Sequence, residues 1–322
     1  MKYQILDIIK NAGEYVSGEE LSRILGITRS AIWKNIGLLR DEGYVIDSVT
    51  NKGYRLQSTA DALNESEIEK VLNTHTIGQK IIYFSSIDST NAEVKRIAVK
   101  GAEHGTVVIA GEQTLGKGRF GREWSSPKGT GIWLSVLLRT DMSPANISGI
   151  TLAAGLGICK AIRSLTGCNA QIKWPNDIII GNKKICGILT EMTAEADRIN
   201  YAVLGVGINV NTAEFPVEIE HKATSLMLAT GRKVPRLNLL SEILQQLEIE
   251  LDEYLLNPQN DLISQYRRLC ATIGREVAVS RNNTNLQGKA VNIDNNGELV
   301  VKLADGKQIS VSSGEVTVQG IY

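Results

Sequence analysis

Gly116-Lys117-Gly118-Arg119-Phe120-Gly121-Arg122-Glu123-Trp124 places three glycines, three cations and a tryptophan in nine consecutive residues. Glycine lets a backbone turn sharply and brings its N–H groups close to a ligand. Lysine and arginine supply fixed positive charge, and an aromatic face stacks on a flat ring. Such a loop suits an anion held beside a planar group, and an adenylate is a ligand of that kind. Two familiar glycine patterns compete for the same residues. Gly111 to Gly118 comes one residue short of a P-loop, which needs Ser or Thr after its lysine and then a helix to receive phosphate. Gly118 takes that place, and Pro127, Gly129 and Gly131 argue against a helix. Gly116-x-Gly118-x-x-Gly121 also fits the bare dinucleotide fingerprint, which again requires a helix at the glycines. Asp141 stands near the spacing of the acid that fingerprint wants, but the intervening residues read as loop and then strand. A solvated basic hairpin tip is the plainer alternative. Arg119, Arg122 and Trp124 are costly residues for a mere turn, and functional residues concentrate on loops.

The other polar candidates are Ser89, Thr90, Asn91, Gln113, Asn176, Asp177 and Lys184. They include no Ser–His–Asp set, no H-E-x-x-H and no carboxylate pair of evident spacing. The four cysteines and three histidines show no metal-ligand spacing, so no protein metal site is expected. A set without its own nucleophile points to catalysis by positioning and electrostatics, as in nucleotidyl transfer. Each residue also has a plainer reading. Ser89 and Thr90 suit a helix cap, and Lys184 suits a solvated hairpin.

Three segments must position these groups. Residues 1–63 read as a winged helix-turn-helix. Ser17 with Glu20 forms a capping box, Gly26 makes the turn, and Thr28 caps a third helix running to about Glu42. Leu21, Leu25, Ile27, Ile32, Ile36 and Leu39 recur at helical spacing as its core. Tyr44–Ile46 and Tyr54–Leu56 make a hairpin through Asn51-Lys52-Gly53, the wing. Thr28, Arg29, Ser30, Trp33 and Lys34 fall at the start of the third helix, where a recognition helix meets base edges, and Lys52 and Arg55 of the wing could reach phosphates. A protein-interaction module is the alternative reading of this segment.

A polar linker is expected from Ser58 to Glu67. Residues 64–270 then alternate strand and helix patterns, giving an α/β domain. Residues 81–84, 106–110, 132–138, 178–180, 183–189 and 201–210 read as strands, and 92–99, 151–165 and 237–256 as helices, the last stopping before Pro258. Gly205 and Gly207 suggest close backbone approach rather than phosphate binding. Residues 271–322 carry four short strands, at 275–280, 288–293, 298–303 and 308–311. Asn-Gly and Asp-Gly turns lie between them, as in a small SH3-like barrel with no catalytic constellation.

Formal net charge is zero, with 35 basic and 35 acidic residues, so nucleic-acid binding must be local and is expected to need a dimer. The start of the chain lacks an apolar signal-peptide core, and no run reads as membrane-spanning. The cysteines read as buried thiols of a reducing compartment, the cytoplasm.

Taken together, Gly116–Arg122 with Trp124, Lys173-Trp174-Pro175-Asn176-Asp177 and Lys184-x-x-Gly187-Ile188-Leu189 resemble the biotin protein ligases. The flanking helix-turn-helix and barrel extend the resemblance over essentially the whole chain, to the bifunctional type that is both ligase and biotin-operon repressor. The resemblance implies a class II synthetase-like catalytic domain that uses ATP, biotin and Mg²⁺ to form biotinyl-5′-AMP. The biotin would pass to a lysine of the biotin carboxyl carrier protein of acetyl-CoA carboxylase. A homodimer with bound biotinyl-5′-AMP would bind operator DNA. By position, Ser89, Thr90 and Gln113 would serve biotin, and Lys117, Gly118 and Arg119 would wrap the carboxylate and phosphate, with Asn91, Gly116 and Arg122 also among the residues that bind biotin or the adenylate. Trp124 would lie near adenine. Lys184 would contact the reacting oxygens, while Asn176 and Asp177 would organise the phosphate or metal side. Lys184 and Arg119 are the catalytic candidates. Lys117 departs from the family's usual arginine, and Phe120 stands where another basic residue is common. A lipoate-type ligase and a ligand-sensing transcription factor without ligase activity are the alternatives.

Overall fold

The computed structural model describes residues 1–322 apart from 59, 60, 62, 196, 197, 258–260, 282, 283 and 313. Thr59, Ala60 and Ala62 of the expected linker lie outside the described residues, as does Pro258, the expected helix stop. The chain forms two compact units. One comprises residues 1–71 with 235–238, and the other 72–234 with 239–322.

The first unit contains α1 (Lys2–Ala12), α2 (Gly18–Leu25), α3 (Arg29–Asp41), the strands β1 (Val45–Val49) and β2 (Gly53–Ser58), and α4 (Glu65–Glu69). Both caps form as the sequence suggests. Ser17 Oγ accepts the Glu20 N–H at 3.1 Å, and Thr28 Oγ1 accepts the Ala31 N–H at 3.2 Å. Ile5, Ile9, Leu21, Ile32, Ile36 and Leu39 make the fully buried core, with Leu25 and Ile27 packed against it. β1 and β2 pair antiparallel with Asp47 opposite Arg55, the expected wing. The linker expectation fails at its C-terminal end. Asn64 Oδ1 caps α4 by accepting the Glu67 N–H at 3.1 Å, and Asn64 Nδ2 donates to Tyr44 Oη at 2.8 Å. Asn64-x-x-Glu67 is an N-cap signal of the same kind as Ser17 with Glu20, hidden here in a polar stretch.

The second unit runs through β3 (Ile81–Phe84), α5 (Thr90–Ala98), β4 (Val107–Ala110), β5 (Gly131–Leu138), α6 (Ile147–Thr166), β6 (Gln171–Lys173), β7 (Asp177–Ile180), β8 (Lys183–Glu195) and β9 (Arg198–Asn209). Next come α7 (Leu226–Thr230), α8 (Arg236–Leu256, whose residues 236–238 belong to the first unit), α9 (Leu262–Leu269) and five further strands: β10 (Glu276–Arg281), β11 (Thr284–Ile293), β12 (Leu299–Lys302), β13 (Gln308–Val311) and β14 (Glu315–Val318). β3 to β9 form one seven-stranded sheet in the order β3-β4-β5-β9-β8-β7-β6, parallel only between β3 and β4. α5 packs on β4, β5 and β9, and α6 on β6, β7, β8 and α9. Contrary to the expectation from sequence, α6 is long and apolar enough to cross a membrane, but most of it is buried inside this unit. The last five strands form an antiparallel sheet in the order β13-β12-β11-β10-β14. β14, which pairs with β10, adds a fifth strand to the four expected. The four cysteines are free, and Cys168 is only half-buried, unlike the other three.

Candidate functional site

The glycine segment is a small irregular hairpin rather than a helix start. Its arms are joined from Gln113 N–H to Ser126 O (3.1 Å), from Trp124 N–H to Gly116 O (2.9 Å) and from Gly118 N–H to Arg122 O (2.7 Å). The tip, Arg119–Gly121, is a single 3₁₀ turn with Phe120 at φ 57° and its side chain exposed. No α-helix follows before β5, so both the P-loop and the dinucleotide reading lack the element they need.

Two arginines tie this hairpin down. Arg119 donates to Asn176 Oδ1 at 2.9 Å and to the Gly314 carbonyl at 3.1 Å. Burial lowers its pKa below the usual arginine value, with Asp177 and Glu315 opposing the shift. Arg122 pairs with Glu315, and that hydrogen bond raises its pKa. The C-terminal sheet therefore reaches the site through β14 and the residue before it, a contribution that no sequence motif marks.

Trp124 lies across the sheet where β8 and β9 pair at Gly187 and Gly207. A Cβ on Gly207 would fall 2.4 Å from Trp124 Nε1, and one on Gly187 3.0 Å from Cζ3, so the indole needs both glycines. Gly205 makes the same kind of room for Asn91, whose Oδ1 would be 2.1 Å from an added Cβ. Close approach is thus what Gly205 and Gly207 provide.

The Asn176–Asp177 segment turns between β6 and β7, with Lys173 and Asp177 as its closing pair and a cis bond at Trp174–Pro175. Trp174 is buried and its Nε1 donates to Gly297 O at 3.0 Å. Asn176 Nδ2 donates to Ile188 O at 2.8 Å, so both ends of its amide are occupied by protein. Asp177 Oδ1 meets Lys184 Nζ at 2.6 Å, and that ammonium stands 5.1 Å from the Trp124 ring centroid. Lys173 is buried, with Nζ 3.8 Å from the Tyr322 ring centroid. Burial pushes its pKa down to about 8, against the attraction of Asp177.

At the other end, Ser89 caps α5 through Ala92 N–H, and the Gln113 Oε1 accepts both the Thr90 N–H (2.8 Å) and its hydroxyl (3.0 Å). Gln113 Nε2 donates to Ser126 Oγ at 2.9 Å. Asn91 Nδ2 donates to Glu191 Oε2 at 2.8 Å, and Glu191 pairs with Lys95. The fully buried Ser135 hydroxyl sits 2.7 Å from Thr90 Oγ1 and 2.6 Å from Asn91 Oδ1. Ser135 is not among the candidates read from sequence, although a lone serine within the apolar run Ile132–Leu138 signals it.

The candidate groups converge on one cavity of about 550 Å³, within the range of small-molecule sites. Ser89, Thr90, Asn91, Gln113, Lys117, Gly118, Arg119, Arg122, Trp124, Asn176, Asp177 and Lys184 all border it. Gly116 stands behind, where a Cβ would strike the Trp124 carbonyl at 2.3 Å. Segment 212–223, which carries no sequence signal, adds Phe215, Pro216 and Ile219 to the wall. It is fastened by Lys184 N–H to Lys222 O at 2.7 Å and Thr224 N–H to Lys184 O at 2.9 Å. Trp124 Nε1 and Thr212 Oγ1 are buried in this wall without a protein partner among the described residues. An unpaired buried donor costs on the order of 1–3 kcal/mol, which a ligand oxygen would recover. Among the described residues no group of three or more His, Cys, Asp and Glu could hold a metal ion.

In the first unit, Thr28, Arg29, Ser30, Trp33 and Lys34 are exposed on one end of α3, and Trp33 is 70 % exposed. Lys52 is exposed, whereas Arg55 is half-buried with its guanidinium 4.7 Å from the Tyr15 ring centroid.

Residues 83–209 match the Biotin/lipoate A/B protein ligase family, residues 2–55 an HTH domain, and residues 272–318 the Biotin protein ligase C terminal domain. The chain is 38 % identical to the bifunctional ligase/repressor BirA of Bacillus spizizenii, over 95 % of each protein. It is 35 % identical to the biotin–[acetyl-CoA-carboxylase] ligase of Mycobacterium tuberculosis, over 71 % of this chain and 85 % of that one. Among solved structures, the biotin protein ligase of Aquifex aeolicus in complex with biotin and ATP superposes with a TM-score of 0.66 at 28 % identity. That match covers 75 % of this chain and 99 % of the other.

Proposed function

The chain belongs to the biotin protein ligases of the bifunctional ligase/repressor type, and from that premise we propose a two-step ligation coupled to control of transcription. In the first step a carboxylate oxygen of biotin attacks the α-phosphorus of MgATP. The bond to pyrophosphate breaks, leaving biotinyl-5′-AMP. In the second, the amine of a lysine on the biotin carboxyl carrier protein of acetyl-CoA carboxylase attacks the acyl carbon. AMP leaves with the bonding electrons, and the amine gives up its proton to water.

The convergence of the glycine hairpin, the Lys173–Asp177 turn and Lys184 on one cavity carries this reading. Two anions brought to about 4 Å repel by roughly 1 kcal/mol in bulk water and about 4 kcal/mol near a protein surface. Lys117, Arg119, Lys173 and Lys184 oppose that repulsion from the cavity wall. Lys184 and Arg119 are assigned to the reacting carboxylate and α-phosphate oxygens, with Lys117 and Gly118 beside them. Asn176 acts by holding Arg119, and Asp177 by holding Lys184. The Thr90–Gln113–Ser135 network, with Ser89 and Asn91, fixes the polar end that receives the ureido ring. Trp124 lies beside adenine with its unpaired Nε1 free to donate to the ligand. Both Asp177 oxygens are engaged by Lys184 and Tyr322, so the Mg²⁺ is taken to arrive as part of the nucleotide substrate.

The adenylate is also the corepressor. With it bound, two copies associate in the cytoplasm and present α3 and the wing of each to operator DNA, Trp33 and Lys34 at base edges and Lys52 and Arg55 at phosphates. Biotin-dependent exchange of labelled pyrophosphate into ATP tests the reading. Exchange with biotin and none with lipoate is expected. Exchange with lipoate alone would point to a lipoate-type ligase, and ligand binding without any exchange to a sensor lacking ligase activity.

A further inference from the structure

Tyr322 holds a place in this site that neither the glycine hairpin nor the Lys184 strand explains. Its hydroxyl donates to Asp177 Oδ2 at 2.5 Å, while Oδ1 of the same carboxylate meets Lys184 Nζ at 2.6 Å. Its ring faces Lys173 Nζ at 3.8 Å, a cation–π distance. Lys173 and Asp177 are the residues that close the β6–β7 turn, so one tyrosine spans both ends of the turn that presents Asn176 to Arg119. The segment is anchored, with Ile321 buried and the Tyr322 N–H donating to Asn182 O at 3.2 Å.

We propose that Tyr322 is a positioning residue of the ligase site, acting on Lys184 through Asp177. The inference rests on the ligase reading above. A carboxylate with one free oxygen swings, and one that gives its whole charge to a lysine neutralises it. Donation from the phenol removes both problems. It fixes the carboxylate plane and draws off part of its negative charge, leaving the Lys184 ammonium placed and available to ligand oxygens. Burial and the neighbouring carboxylate raise the phenol's pKa, so it remains a donor throughout the working range. The ring meanwhile covers Lys173 without removing a charge from the site.

The test is steady-state pyrophosphate exchange with the full-length chain, its Tyr322→Phe and Asp177→Asn variants, and the double variant. Tyr322→Phe keeps the ring and the fold, which its thermal midpoint checks. Its kcat is expected to fall about tenfold, the loss of one hydrogen bond to a charged group, with KM for biotin unchanged. The double variant should be no slower than Asp177→Asn alone, since both remove the same link. Wild-type kcat in Tyr322→Phe overturns the inference. So does a double variant slowed by the product of the two single effects, and so does a rate increase, which would mark Tyr322 as a cover. Wild-type protein that shows no biotin-dependent exchange overturns the ligase reading and this inference together.

Discussion

Gly207→Ala puts the geometry of the Trp124 shelf to a severe test. The added methyl would stand 2.4 Å from Trp124 Nε1, 2.7 Å from Cε2 and 3.1 Å from Cδ1. Non-bonded heavy atoms settle near 3.5–4.0 Å, so the indole must retreat by about 1 Å. Little around it yields. Gly207 is paired on both sides, with Gly187 and with Trp133, in the middle of the sheet. The Trp124 N–H is committed to Gly116 O, so a displaced indole drags the arm of the glycine hairpin. Overpacking of this kind costs about 1–3 kcal/mol of stability. The catalytic effect is of comparable size, because a shift of about 1 Å in positioning groups lowers rates by roughly 100-fold, about 2.7 kcal/mol of barrier. Gly187→Ala is the internal comparison. Its methyl meets Cζ3 at 3.0 Å and the movable end of Lys184 at 3.2 Å, so a milder loss is expected. Biotin-dependent pyrophosphate exchange beside urea denaturation reads both quantities. A Gly207→Ala protein with wild-type exchange would refute the packing of Trp124 as a determinant of the site.

Arg119→Gly removes both tethers of the hairpin tip, to Asn176 and to Gly314, and should release biotinyl-5′-AMP about 10- to 100-fold faster in a chase experiment. Retention equal to wild type would dissociate the hairpin from adenylate capture. Removing residues 1–63 should abolish operator binding and spare biotin transfer, and loss of both would show that the activities are not separable. Lys173 gives a pH dependence. Its folded pKa of about 8 lies below the ordinary 10.5, so the cost of burying its charge is fully present below pH 8 and fades as pH rises toward 10.5. Lys173→Met should therefore gain about 1–3 kcal/mol at pH 7 and lose the rise in stability between pH 8 and 10.5 seen in wild type, while exchange falls. An unchanged urea midpoint at pH 7 would contradict the burial cost.

Local signals in the sequence make much of this molecule legible. Ser17 and Thr28 cap as their spacing indicates, the apolar stripe from Leu21 to Leu39 is the core of the first unit, and the hairpin pattern around Lys52 is the wing. The glycine loop, the Lys173–Asp177 turn and Lys184 stand out by residue type, and the cavity brings them together. What escapes is non-local. Glu315 and Tyr322 carry no motif, and reach Arg122 and Asp177 because β14 pairs with β10 in the C-terminal sheet. Phe215 and Ile219 carry no local signal either, and join the cavity wall on a segment whose Lys222 and Thr224 bond the backbone of Lys184. Asn64 shows the opposite failure, a local cap signal masked by the polar residues around it.

Joining of an acid to a nucleotide within one cavity is tested most directly by the mass of the ligand bound to the full-length protein after incubation with biotin and MgATP. We expect biotinyl-5′-AMP, retained through gel filtration, with one pyrophosphate released per molecule bound. Biotin and ATP recovered unreacted, or no retained ligand and no pyrophosphate, would contradict it.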